Sequence, residues 1–564
     1  MKRLFLILSA GLVCLATINP RVSSASGADT NSSDPKGPSS YQWPSSPGPG
    51  HGGLYIEDDI SHTRLVSTLG TESGSLCGSM TDTSCADQSV QFYAILPRCV
   101  GPTSVDCIES ISAKSSSGII EQAQFERYFP EHGLADFTGR PEAKIPSGAS
   151  SSLWNIPSAT HAGGNEYLAV VSLKGSADSR GTLRGPPVIH ASLYPVQIVA
   201  GKFSRNVPIG TQGVNHPSVD PWGNCASLDE GYCAARQEFP PSTRFSMAIR
   251  LTSSPIGWLH GRIFDPEISF AKSDSFVQIQ IEANPVQVPA VATWTEAALL
   301  PKSFRSHKPC TAEVNCDQIN PQSAGAVPEI EDWRALYQDK ASWVRGQWFF
   351  QTLGNYESDP SFGTCFSDRS LLHGFITTNA TGYSAGPPSY STSEKAFSYT
   401  VSSPHFDAES RVIIGAFSFL IRKSTARCLY GIANGEISAK VTISASDRGD
   451  ISEVSVESVS TDSTWLKVNA SGFHYSSPVI KTLLRSATTP TPSVTAKSIA
   501  VYANLAVLST SKISLKVASS SSKYCKVVRS TLKVLKIGPC KVTVTVTPIR
   551  GRATSKTVTL KIKK

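Results

Sequence analysis

The sequence predicts an all-β protein made of several β-sandwich domains, with loops fixed by disulfides and one short helical connector. Glycine and proline contribute 41 and 37 of the 564 residues and methionine only 3, a composition typical of short strands joined by turns. Apolar residues also alternate with polar ones, as at Val277, Ile279 and Ile281. This alternation places one side of a strand in a core and the other in water.

The first residues have the pattern of a secretory signal. Lys2 and Arg3 precede an apolar run from Leu4 to Ile18, and small residues follow. The run is too short to span a membrane, and no later stretch reaches the roughly 18 apolar residues of a membrane helix. We therefore expect residues 1–25 to be removed. The mature protein is expected to be secreted, or held non-covalently at the cell surface, without a transmembrane segment.

The cysteines indicate a set of disulfides. Of the 13 cysteines, Cys14 lies in the signal segment, and an even number in the rest of an exported chain favours bridges. Because no Cys-x-x-Cys pair occurs, zinc is not predicted. Three pairings are open between residues 77 and 107, and Cys365 is left to pair with Cys428 over a long loop. The predicted disulfide residues are Cys77, Cys85, Cys99, Cys107, Cys225, Cys233, Cys310, Cys316, Cys365, Cys428, Cys525 and Cys540.

Composition divides the chain into segments. Residues 26–52 are rich in serine, glycine and proline with few apolar residues, which is typical of a flexible linker. Whether the β region after it is one domain or two is left open. The predicted segments are 1–25 (signal peptide), 26–52 (linker), 53–300 (β domain or domains with cystine-pinned loops), 301–342 (connector with a short helix), 343–486 (β-sandwich), 487–493 (linker) and 494–564 (basic β module).

Individual elements follow from local patterns. Residues 328–337 begin with proline and acidic residues and predict the helix of the connector. Alternation predicts a strand over 397–401. The alternating stretches 441–443 and 454–456 predict a hairpin whose turn is formed by residues 446–450. Near the C-terminus, three alternating stretches predict strands with serine, threonine and lysine facing outward.

The C-terminal region also resembles a known family. Its relevant stretches are Tyr524-Cys525-Lys526-Val527, Leu532-Lys533-Val534-Leu535 and Ile537-Gly538-Pro539-Cys540-Lys541-Val542-Thr543-Val544. A cysteine, a short strand, a Gly-x-Cys turn and an alternating strand resemble the bacterial immunoglobulin-like modules of exported Gram-positive proteins. The resemblance covers about 75 residues and implies a spacer or adhesive module. Residues 426–478 are also similar to uncharacterised exported proteins of such bacteria, a likeness that implies no function.

No motif of a known catalytic or cofactor site occurs in the sequence, so no catalytic, cofactor-binding or metal-binding residue is predicted. The acidic residues 57–59 with His62 are interpreted as a solvated turn rather than a metal site. Residues 258–262 with Asp265 are interpreted as a junction holding a structural ion pair. Arg448-Gly449-Asp450 is interpreted as a polar turn, and its functional role is left open. The tryptophans Trp43, Trp154, Trp222 and Trp343 are interpreted as core residues rather than sugar platforms.

Charge is the strongest functional observation. Residues 487–564 contain 15 lysines and arginines and no acidic residue, whereas the whole chain carries +8, so residues 1–486 carry −7. A basic end on an acidic body indicates attraction to a polyanion. The alternative is that the lysines only keep the strands soluble. The residues predicted to bind a polyanion are Lys512, Lys516, Lys561 and Lys563.

These observations together predict an exported, non-enzymatic structural or adhesive protein of the cell surface, with no cofactor. The expected partner is an anionic cell-wall polymer or a glycan. Nucleic acid is not expected, because the chain is exported and aromatic residues rarely interleave with the basic ones. The alternative is an exported hydrolase or carbohydrate-binding protein with its site in residues 54–300. The sequence does not define the oligomeric state.

Overall fold

The structure is a computed structural model of the chain. The residues that it describes are 51–56, 64–67, 75–133, 135–203, 224–296, 299, 318–319, 326–353, 365–366, 368, 371–384, 386–430, 437–445, 451–452, 456–475, 478–486, 493–496, 499–500, 503, 505, 512–528, 531–536, 538–548 and 552–562. The predicted signal peptide, most of the first predicted linker and residues 487–492 therefore lie outside the described residues.

The described residues form 33 β-strands and two short α-helices, which confirms the predicted all-β class. The first strands are β1 (His51–Ile56), β2 (Arg64–Ser67), β3 (Val90–Ile95), β4 (Cys107–Lys114), β5 (Ile120–Gln122), β6 (Gln124–Phe129), β7 (Ser151–Asn155), β8 (Glu166–Ala177), β9 (Val188–Ala200), β10 (Cys225–Asp229) and β11 (Tyr232–Arg236). There follow β12 (Arg244–Leu251), β13 (Gly257–Lys272), β14 (Val277–Glu296), β15 (Gln318–Ile319), α1 (Ala326–Trp333), β16 (Trp343–Gln347), β17 (Phe349–Thr352), β18 (Leu372–Thr378), β19 (Gly382–Tyr383), β20 (Ser389–Ser391), β21 (Ala396–Ser402), β22 (Ile414–Arg422), α2 (Lys423–Tyr430), β23 (Ile437–Ala445) and β24 (Ile451–Ser452). The last are β25 (Val456–Thr461), β26 (Trp465–His474), β27 (Pro478–Ser486), β28 (Ser493–Thr495), β29 (Lys512–Val517), β30 (Cys525–Val528), β31 (Thr531–Val534), β32 (Gly538–Thr547) and β33 (Thr554–Ile562).

Strand β13 connects the two halves of the large β region. Its first half pairs with β17 and β18, and its second half pairs with β14. One hydrophobic core contains Phe245 and Ile281 as well as Trp348 and Phe375. Strands from the predicted segments 53–300 and 343–486 therefore share sheet pairings and a core.

Two elements differ from their predicted form. The connector helix is present as α1, but it ends at Trp333, four residues before the predicted end. The predicted hairpin is present, since Ile443 and Ser444 of β23 pair with Ser452 and Ile451 of β24. Its second strand differs from the prediction at Val456, which belongs to β25 and pairs with β26, while residues 454–455 lie outside the described residues. The turn 446–450 lies outside the described residues.

Helix α2 was not predicted. It follows β22 directly and has no acidic residue in its first turn, so the usual signal for a helix start is missing. Ala426 and Tyr430 nevertheless lie at i, i+4 spacing, which is the helical signal that the sequence does contain. Cys428 of α2 forms a disulfide with Cys365, whose segment precedes β18. The bridge therefore ties the helix to the segment that precedes β18.

Five disulfides are present in the described residues, and they join the same cysteines as the predicted pairs. They are Cys77–Cys85, Cys99–Cys107, Cys225–Cys233, Cys365–Cys428 and Cys525–Cys540. Of the three ways of pairing the four cysteines between residues 77 and 107, the structure has the one with two short-range bridges. Cys310 and Cys316 lie outside the described residues.

The C-terminal module has two three-stranded sheets, with strand orders β28–β31–β30 and β29–β32–β33. Both sheets contribute to one core, to which Leu532 comes from the first sheet and Val542, Val544 and Val546 come from the second. The Cys525–Cys540 disulfide joins β30 to β32 and is fully buried in this core. The bridge therefore holds the two sheets together.

Removing this disulfide is expected to destabilise the module. Its 15-residue separation corresponds to about 3 kcal/mol in a chain-entropy treatment, which is about a 100-fold change in an unfolding equilibrium. Replacing both Cys525 and Cys540 with alanine in the full chain should therefore accelerate amide exchange of β29–β33 about 100-fold. Removing Cys77–Cys85 in the same way serves as the matched control. Unchanged exchange in the module would show that the bridge does not stabilise it.

Candidate functional site

The structure places the predicted lysines of the C-terminal module on its surface, as far as it describes them. Lys512 and Lys516 are exposed at alternate positions of β29, and Lys561 lies in β33 opposite Pro539 of β32. Lys563 lies outside the described residues. Further exposed cations in the module are Lys523, Lys526, Lys533, Lys536, Lys541, Arg552 and Lys556. The exposed charges thus extend over both sheets.

The outer face of the sheet β29–β32–β33 combines lysines with hydroxyl groups. Strand register places Lys516 opposite Thr543, which in turn lies opposite Thr557. The hydroxyls of Thr543 and Thr557 are hydrogen-bonded at 2.8 Å, and those of Thr545 and Ser555 at 2.7 Å. The face therefore presents rows of paired hydroxyls beside cationic side chains.

The other sheet brings two lysines directly opposite each other. Lys526 of β30 and Lys533 of β31 are cross-strand partners, and both are exposed. Like charges in this position are destabilising in the absence of counter-ions. Since residues 487–564 contain no acidic residue, no carboxylate of the module can neutralise this pair. An external anion would relieve the repulsion.

Residues 258–262 lie in β13, where the prediction of a structural ion pair needs refinement. His260 and Arg262 are both fully buried. The ring of His260 stacks on Tyr383 with centroids 3.6 Å apart, and Arg262 donates hydrogen bonds to the carbonyls of Ala380 and Thr381. Burial, with the neighbouring Arg262 charge, holds the pKa of His260 well below its ordinary value. His260 is therefore a neutral core residue, and Arg262 binds backbone rather than Asp265.

Asp265 forms its ion pairs with residues from other strands. It accepts bonds from Lys467 of β26 at 2.6 Å and from Arg244 of β12 at 3.1 Å. Burial raises its pKa, but the bonds from Lys467 and Asn469 and the charge of Arg244 lower it more, so the net pKa lies below the ordinary value. Sequence reasoning missed both partners because they lie on other strands, with Lys467 separated from Asp265 by 202 residues and Arg244 by 21.

Asp265 also shapes the strand that carries it. Its φ of 53° lies in the left-handed region, and the pairing of β13 with β14 shifts register between Phe264 and Glu267. A bulge of this kind bends a strand and redirects its side chains. Beside the bulge, β13 and β14 face β25 and β26 across a cleft of about 400 Å³, lined by side chains that include Glu267, Glu282 and Lys467.

The other predicted groups fall into two sets. Trp154 and Trp343 are buried, as expected of core residues. Residues 57–59, His62, Trp43, Trp222 and 448–450 lie outside the described residues. In the described part of the chain, no three His, Cys, Asp or Glu side chains are grouped so that they could hold a metal ion.

Comparison of the chain with models of known protein families and with curated proteins finds no match. Among the described residues, neither helix has the length and apolar character needed to span a membrane.

The burial of His260 predicts a pH dependence of stability. The pKa of His260 is about 6.5 in the unfolded chain and much lower in the folded protein. The contribution of His260 to the free energy of unfolding is therefore fully present above about pH 6.5 and decreases as the pH falls below it. His260 alone should contribute a slope of about 1.4 kcal/mol per pH unit below pH 6. Urea unfolding at pH 7.5, 6 and 5 should show a smaller slope for His260→Leu than for the wild type. Substitution of the exposed His474 by glutamine is the control. Equal slopes for His260→Leu and the wild type would contradict the assignment.

Proposed function

We propose that this is an exported structural or adhesive protein of the cell surface, whose C-terminal module binds an anionic cell-wall polymer. The observation that carries the proposal is the uncompensated charge of the module, with 15 basic and no acidic residues in 487–564. The summed field of such a surface attracts polyanions where single lysines would not. The predicted signal segment and the disulfides support export.

The distribution of the charges supports an extended ligand rather than a small anion. Lys512, Lys516 and Lys541 are exposed on one sheet, and Lys526 and Lys533 on the other. Because these side chains are distributed over two sheets, a compact anion could touch only a few of them. A polymer with phosphate or carboxylate groups can contact many of them at once and can also accept hydrogen bonds from the hydroxyl rows.

Most of the charges are lysines. Of the 15 basic residues, 12 are lysines and 3 are arginines. The lysine ammonium is a compact point charge, whereas the arginine fork is suited to planar, bidentate recognition of carboxylates and phosphates, so the lysine-rich surface attracts both kinds of anionic group. The resemblance to bacterial immunoglobulin-like modules supports an adhesive or spacer role for the same region.

Truncation provides the test of this proposal. The full-length protein and a chain ending at Pro492 are mixed with purified cell walls over a salt series from 0.05 to 0.5 M. We expect the full-length protein to be retained at low salt and released as salt rises, because exposed charges are screened over about 8 Å at physiological ionic strength. The truncated chain should not be retained.

Matched lysine variants test whether the sheet β29–β32–β33 contributes to retention. Replacing Lys512, Lys516 and Lys541 with glutamine is compared with replacing the exposed body lysines Lys202, Lys272 and Lys395 in the same way. Only the first set should weaken retention. Equal retention of the full-length and truncated chains, or retention of the full-length protein that is insensitive to salt, would contradict the proposal.

A further inference from the structure

The cleft beside Asp265 lies far from the C-terminal module in the sequence and differs from it in chemistry. One wall comes from β13 and β14, with Ser269, Gln280 and Glu282, and the other from β25 and β26, with Ser460 and Lys467. Its volume of about 400 Å³ is within the range of small-molecule and oligomer sites. Serine and amide groups alternate with charged ones along its walls, over an apolar floor that includes Leu420.

The charged groups of the cleft are held in place by the protein itself. Arg244 contacts Glu282 at 3.0 Å and Asp265 at 3.1 Å, and Lys467 contacts Asp265 at 2.6 Å. These side chains are mostly buried, since Arg244 is 17% and Lys467 14% exposed. Carboxylates fixed in this way are strong acceptors for hydroxyl groups, and binding would cost little side-chain entropy.

The cleft continues across the sheet. A second cavity of about 110 Å³ shares Gln280 and Glu282 with it and extends to Ser246 of β12 and Ser112 of β4. The two cavities together cross four neighbouring strands, β13, β14, β12 and β4. At about 4.8 Å between strands this is a groove of about 14 Å, long enough for an oligomer.

The chemistry of the groove narrows the class of ligand. The cleft is lined by Glu267, Glu282 and Asp462, and the second cavity adds Lys114 and Arg244 to the cation Lys467. The formal charges of the groove therefore cancel, which favours a neutral ligand over an anion. An extended peptide would pair with the free backbone of an edge strand. In this groove, β12 and β14 are each already paired with a strand on both sides, so only their side chains are available to a ligand. Hydroxyl, amide and carboxylate groups over an apolar floor suit a neutral ligand that is rich in hydroxyls.

We propose that the groove from Ser460 and Lys467 to Ser112 binds a neutral oligosaccharide chain. Glu282 and Gln280 lie at its centre, where both cavities meet. The Glu282 carboxylate accepts hydrogen bonds from sugar hydroxyls, and the Gln280 amide both accepts and donates them. Glu267, which is 65% exposed, lies at the open rim and accepts further bonds. This site is independent of the anionic polymer proposed for the C-terminal module.

The test fills the cleft without disturbing the ion pairs. Ser269 is exposed in the wall, so Ser269→Tyr places a ring in the cleft. Ser275→Tyr, in the exposed turn between β13 and β14, is the matched control. Binding of the full-length chain is measured by calorimetry in 0.5 M salt, which suppresses the contribution of the basic module. The probes are hexamers of β-1,4-linked glucose, β-1,4-linked N-acetylglucosamine and α-1,4-linked glucose, with a galacturonate hexamer as the anionic comparison.

We expect the wild type and Ser275→Tyr to bind at least one neutral hexamer with equal affinity, and Ser269→Tyr to bind it at least tenfold more weakly. Gln280→Ala should also weaken binding, because it removes a central amide. Three results would overturn the proposal: no neutral hexamer is bound by the wild type, Ser269→Tyr binds as well as the wild type, or the galacturonate hexamer is bound more tightly than the neutral ones. Salt-sensitive retention on cell walls would be unaffected by any of these results, so the two proposals fail separately.

Discussion

The large β region depends on the ion-pair network at Asp265. The strand that carries this residue leaves β17 and β18 after Arg262 and pairs with β14 from Ile263, and the bulge with the left-handed Asp265 follows within that second pairing. Arg244 of β12 and Lys467 of β26 both bind the Asp265 carboxylate, so the network connects strands that are distant in sequence. The backbone N–H of Asp265 also donates to the Ser418 hydroxyl of β22 at 3.1 Å. Removing one partner from such a partly buried network would leave charge without compensation.

This arrangement explains why the cleft is polar although it borders a hydrophobic core. Ile279 and Ile281 of β14 are fully buried in the core, while Gln280 and Glu282, which alternate with them along the strand, face the groove. The period of two along the strand separates the two environments. The C-terminal module applies the same rule with different residues, since Val542, Val544 and Val546 are buried while Lys541, Thr543 and Thr545 lie on the other face. One strand pattern thus supports two chemically different surfaces.

Sequence reasoning predicted the features that depend on local pattern. Alternation identified β14, β21 and three strands of the C-terminal module, and close spacing identified four of the five disulfides in the described residues. It did not predict that β13 pairs with β17 and β18 in its first half and with β14 in its second. The residue pattern of one strand does not indicate which distant strand it pairs with. The partners of Asp265 were missed for the same reason. The burial of Arg262 was missed because its compensation comes from backbone carbonyls, which every sequence contains.

The central claim is that an external polyanion neutralises the module's lysines. Lysine footprinting of the intact protein by acetylation and mass spectrometry, with and without purified cell walls, tests it most directly. In the presence of cell walls, we expect unchanged acetylation rates at the body lysines Lys202 and Lys272. Acetylation should be slower at the exposed lysines of the module, which are Lys512, Lys516, Lys526, Lys533 and Lys541. Protection of the body lysines instead, or no protection of any lysine in the module, would contradict it.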